Sequence, residues 1–83
     1  MRMEWDVRII MDDVLSELRR AEAKYPVWPH DIIHAVAIVA EESGEAVRAA
    51  LNHVYHGESV ETLRDELVQT AAMALRALKN LPR

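Results

Sequence analysis

Apolar residues recur along this chain at helical spacing from one end to the other. Val7, Met11, Val14, Leu18, Ala21 and Tyr25 advance in steps of four and three, a narrow seam between charged positions. That seam predicts a first helix over about Met3 to Lys24. A longer stripe follows in Ile33, Val36, Ala40, Gly44, Val47, Leu51 and Val54. Asp31 precedes it as an N-cap, so a second helix is expected from there to about Tyr55. Ser59 is the next N-cap, and Leu63, Leu67, Thr70, Ala74, Ala77 and Leu81 predict a third helix ending near Asn80. Between them, Tyr25-Pro26-Val27-Trp28-Pro29 cannot be helical throughout, because each proline turns its predecessor away from the helical region. The second break is His56-Gly57-Glu58-Ser59, where Gly57 suits the left-handed position after a helix.

Helices two and three are apolar over far more than one stripe. From Leu67 to Leu81 the only polar residues are Gln69, Thr70, Arg76, Lys79 and Asn80. A helix apolar nearly all round is buried on most sides, and three helices of this length cannot bury two of their own number. The expected architecture is therefore an all-α, single-domain subunit over 1–83, with helices two and three forming a four-helix bundle core in a homodimer. Gly44 fits this picture: a mid-helix glycine costs about 1 kcal/mol relative to alanine, and close approach of another helix is the expected reason.

Composition narrows the classes. The 83 residues include no cysteine, which removes disulfides, thiolate metal sites and cysteine nucleophiles together. Ten Lys and Arg against fourteen Asp and Glu give a net charge of −4, so no basic footprint for nucleic acid or an anionic membrane is present. Hydrophobic residues make up 51% of the chain, too many for disorder. The longest uncharged apolar run, Ala35 to Ala40, is too short to span a bilayer, and a cytoplasmic protein is expected.

The informative polar residues are Glu41, Glu42 and Glu45 on helix two, with Glu66 and Gln69 on helix three. At roughly 100° per residue the three carboxylates of helix two share a sector of about 100°. Like charges so placed destabilise a helix unless a cation or free solvation compensates them. Apolar flanks, Ala35 to Ala40 before and Ala46-Val47 after, argue against free solvation. Carboxylates converging from two such helices make an oxygen-rich site for a hard divalent cation. The alternative is an ordinary solvated helix face with Arg48 as ion-pair partner.

The run EESGEAVRAALNHVYHGESVETLRDELVQTAAMALRAL resembles the core of the MazG-like all-α nucleotide pyrophosphohydrolases. That superfamily also holds dimeric dUTPases and phosphoribosyl-ATP pyrophosphatases. The resemblance covers about residues 30 to 80, with HAVAIVAEESGE its most specific part. It implies hydrolysis of a nucleoside triphosphate to monophosphate and pyrophosphate with Mg²⁺; Mn²⁺ is the alternative cation expected for the same oxygen ligands. It also implies that Glu42, Glu45 and Glu66 are metal ligands and that Glu41 orients or deprotonates the attacking water. The family's fourth ligand falls on Gln69, where the family has aspartate. That departure keeps a second reading open, a catalytically weak or inactive bundle that binds nucleotides or serves assembly.

Further residues are candidates for substrate contact. His34 lies about 20° short of two full turns before Glu41, about 10 Å along the helix, within reach of a nucleoside. A histidine bonded to a backbone carbonyl is its alternative. Trp28 can stack on a base or seal the end of the bundle. Arg48 and Arg76 lie seven residues beyond Glu41 and Gln69; either can hold a phosphate or form an intersubunit ion pair. His30 and His34 superficially resemble a zinc pair, but Asp31 as N-cap leaves His30 outside the helix, so zinc is rejected. Trp5 reads as packing, and His53 and His56 favour the C-terminal dipole of helix two.

Overall fold

A computed structural model describes residues 5–82 of the chain. Three α-helices account for most of them: α1 Val7–Lys24, α2 Ile32–His56 and α3 Val60–Lys79. No strand occurs among the described residues. Each helix begins where a short polar side chain satisfies a free N–H of its first turn. Asp6 accepts from the Arg8 N–H at 2.8 Å, Asp31 from His34 at 3.1 Å and Ser59 from Glu61 at 3.1 Å. The Asp6 cap puts the start of α1 at Val7, after the expected Met3, which itself lies outside the described residues. Gly57 ends α2 in the left-handed conformation, φ 69°, and the Glu58 N–H closes back onto the Asn52 carbonyl at 3.1 Å. That geometry turns the chain directly into α3.

Helix α3 is the centre of the fold. Both α1 and α2 pack along it, while no Cα atom of α1 lies within 8 Å of one in α2. Val14, Leu18 and Ala21 of α1 meet Ala72 and Met73 of α3, and Ile10, Trp28, Ile38, Val39 and Val68 close around them. Two ion pairs, Arg64–Asp13 and Lys79–Glu22, both at 2.9 Å, tie α3 to α1. No helix of the described residues is long and apolar enough to cross a membrane.

The faces of α2 and α3 differ from the expected ones. Ala35, Ala46 and Ala49 are the buried residues of α2, and the stripe from Ile33 to Val54 faces outward, Ile33 at 82% and Val47 at 60% exposure. The cause is physical: α2 is apolar on nearly every side, so periodicity does not choose a face, and its alanines let α3 come closest. On α3 the core face is Val68, Ala72, Met73 and Arg76, while Leu67 and Leu81 of the expected stripe are exposed. In α1 the seam holds at Val14, Leu18 and Ala21, and Val7, Met11 and Tyr25 lie in the open. Among the described residues no close approach explains Gly44, since a Cβ placed there meets no packing neighbour within 4 Å.

Candidate metal centre and its flanking cavities

The packing of α2 on α3 brings three carboxylates together. Glu42 and Glu45, one turn apart on α2, face Glu66 of α3, and one oxygen from each lies within 4.8 Å of the other two. Opposite ligands of an octahedral Mg²⁺ stand about 4.2 Å apart at its usual bond length. The separations among the three oxygens, all within 4.8 Å, are close to that span. Two of the side chains are short of partners: Glu42 Oε2 and Glu66 Oε2 are buried with no hydrogen bond among the described residues. A buried, unpartnered carboxylate oxygen is costly, and a hard cation relieves it. The donor set fits a divalent ion of the Mg²⁺ or Mn²⁺ type.

The electrostatics agree with the geometry. Burial raises the Glu66 carboxyl above its ordinary value, and the Glu45 charge, a hydrogen bond with Glu45 and the Asp65 charge add to this; Arg48 works against it. Glu42 is raised in the same way by burial, then by the charges of Glu45, Glu66, Glu41 and Glu17. Proximity of like charge and loss of water act in one direction here.

Two cavities flank the cluster. One of about 240 Å³ is lined by Glu42, Gln69, Trp28, Arg76, Glu17 and Arg20, among others. The other, about 270 Å³, is lined by Glu45, Glu66, Arg48, Asn52, Glu58 and Thr62. Of the residues singled out in the sequence, Glu42, Glu45 and Glu66 thus converge. Gln69, Trp28 and Arg76 share the first cavity and Arg48 lies in the second. Glu41 is exposed and outside the three-carboxylate set, though its charge is felt at Glu42. His34 is not brought in: it is exposed in the first turn of α2 and lines neither cavity, because α2 presents its alanine face to α3.

Arg76 has a structural occupation. It is 4% exposed, its guanidinium donates to the Tyr25 carbonyl and lies 4.9 Å from the centre of the Trp28 ring. It therefore pins the proline-containing connection, and Trp28 with it, onto α3. Trp5 similarly lies under Arg64, at 4.4 Å. Glu17 and Arg20, absent from the candidates above, pair at 2.6 and 2.8 Å in the wall of the first cavity. Their spacing on α1 beside Leu18 and Ala21 is the signal that could have placed them there. Asn52 and Thr62 carried no such signal. Comparison with known proteins finds no matching family model, no matching curated protein and no matching solved structure.

Proposed function

We infer that this protein is a divalent-cation-dependent nucleoside triphosphate pyrophosphohydrolase, releasing nucleoside monophosphate and pyrophosphate. The observation that carries this reading is the convergence of Glu42, Glu45 and Glu66, with two of their oxygens buried and unpartnered. The reaction class is taken from the resemblance of the EExxE segment to the MazG-like pyrophosphohydrolases. Glu42, Glu45 and Glu66 would hold Mg²⁺ or Mn²⁺; the resemblance would add Gln69, which shares the first cavity with Glu42, as a fourth position. When bound, the ion neutralises phosphate oxygens that bare carboxylates would repel.

The residues divide the remaining work. Glu41, outside the ligand set, takes a proton from a water as that water attacks the α-phosphorus. The α–β anhydride bond breaks and pyrophosphate leaves with its electron pair. Arg48, in the cavity beside Glu45 and Glu66, faces the phosphate end, and the Trp28 and Arg76 cavity faces the nucleoside end. The working form is a cytoplasmic homodimer in which the outward apolar faces of α2 and α3 form a four-helix core.

A second reading is favoured by one residue, Gln69: a bundle that binds nucleotide with little or no turnover. A panel of ribo- and deoxynucleoside triphosphates with Mg²⁺, assayed for pyrophosphate release, separates the two. Release from at least one of them, abolished by Glu45→Gln and Glu66→Gln, is the expected result. Nucleotide binding without release would establish the second reading instead.

A further inference from the structure

The two flanking cavities differ in chemistry. In the wall of the cavity beside Glu42, the charged groups are largely engaged: Arg20 with Glu17, and a terminal nitrogen of Arg76 with the Tyr25 carbonyl. Apart from the Glu42 carboxylate, which belongs to the cation cluster, what remains for a ligand is the indole of Trp28, the half-buried amide of Gln69, and the buried Arg76 Nε, which has no partner among the described residues. An aromatic plane, a neutral amide and one spare N–H suit a planar heterocycle better than a phosphate. A volume of about 240 Å³ is small for this purpose. It lies below the roughly 300–1,000 Å³ of pockets that enclose whole drug-sized ligands, and it accommodates a ring system rather than a complete nucleotide.

Gln69 is the one neutral side chain in that wall whose functional group offers both an acceptor and two donors in a fixed plane. The edge of a nucleobase presents the complementary pattern, adjacent donor and acceptor. We propose that Gln69 is the specificity-determining contact of this cavity, reading the hydrogen-bonding edge of a base held against Trp28, and is not a ligand of the cation. The proposal rests on the nucleotide reading above for its ligand class. It differs from it in giving position 69 to the base instead of the metal. An amide here leaves the cluster with three carboxylates and gives the cavity a group that a carboxylate, which only accepts, cannot replace.

Binding of a nucleoside needs neither cation nor turnover, so the test does not depend on catalysis. Adenosine, guanosine, cytidine and uridine are titrated without metal, following Trp28 emission in a Trp5→Phe background and heat release in the unsubstituted chain. Mn²⁺ is titrated separately. The best-bound nucleoside is expected to weaken about fivefold in Gln69→Leu, the worth of one neutral hydrogen bond, with Mn²⁺ affinity unchanged. Gln69→Met, which keeps the length of the side chain, should behave alike. If both variants lower Mn²⁺ affinity and leave nucleoside binding as it was, position 69 ligates the cation and the proposal is overturned. It is equally overturned if none of the four nucleosides changes Trp28 emission. A protein that binds nucleosides in this way and hydrolyses nothing would keep the proposal and remove the enzymatic reading.

Discussion

Glu42 and Glu66 are in unfavourable places unless something positive joins them. A carboxyl whose folded-state pKa exceeds its unfolded value binds more protons folded than unfolded between the two. Stability therefore falls as pH rises through that window, and the full cost stands at neutral pH. For Glu42 and Glu66 the window begins at the ordinary value of 4.5 and extends upward. Glu17 is opposite in sign: its hydrogen bonds from Arg20 hold it low, so its contribution is lost only on acidification below 4.5. Without divalent cations, Glu66→Gln should melt about 2–4 °C above the parent at neutral pH, for about 0.5 kcal/mol of relieved repulsion. The gap should close as pH falls toward 4.5; a gap that ignored pH would remove the raised carboxyl from the account. At this scale the sequence was informative about Glu42, Glu45 and Glu66, because spacing on one helix and an acidic neighbour on the next are readable. Glu17 and Arg20 were not, since their relation to Glu42 depends on how α1 sits on α3.

Among the elements, caps and breaks were the most legible features. Asp31, Gly57 and Ser59 act locally, through hydrogen bonds and dihedral preference, and each stands where its residue type alone would put it. The buried face of α2 was not legible, because a helix apolar on most sides offers several stripes of equal merit and only the partner selects one. Ile33, Val36, Val47, Leu51 and Val54 consequently lie outward, with Gly44 among them and, among the described residues, no packing neighbour within 4 Å of a Cβ placed there. Gly44→Leu separates the two environments this face can have. In a free subunit the leucine meets open space and improves helix propensity by about 0.8 kcal/mol. Against a second copy it obstructs packing. Under the proposed dimer, sedimentation should show association weakened at least about tenfold, the size of a modest overpacking cost, with helical content by circular dichroism unchanged. Unaltered association would put the dimer contact elsewhere.

The whole subunit is more open than its mass requires. Its accessible surface is 6565 Å², against about 5,000 Å² for a folded monomer of 9.5 kDa. The radius of gyration is 14.1 Å, where a compact chain of this length has about 12 Å. The excess of about 1,500 Å² falls within the share that one protomer contributes to an obligate interface. Among the described residues no large side chain is fully buried, so one copy has little core of its own. These quantities support a second copy as the cover for the outward face of α2 and the exposed flank of α3. Unfolding should accordingly depend on protein concentration, with Tm rising as the chain is concentrated. A concentration-independent Tm together with a sedimenting monomer at micromolar concentration would rule the dimer out.

Hydrolysis by this protein, as proposed, depends on Glu42, Glu45 and Glu66 acting together on one cation. The most direct measurement is a titration of the nucleotide-free protein with Mn²⁺, following the free ion by electron paramagnetic resonance, in the parent and in Glu45→Gln and Glu66→Gln. The parent should bind Mn²⁺ saturably, and loss of one ligand charge should lower the affinity about tenfold or more in each variant. Equal binding in all three proteins would contradict the assignment of these carboxylates to a metal centre.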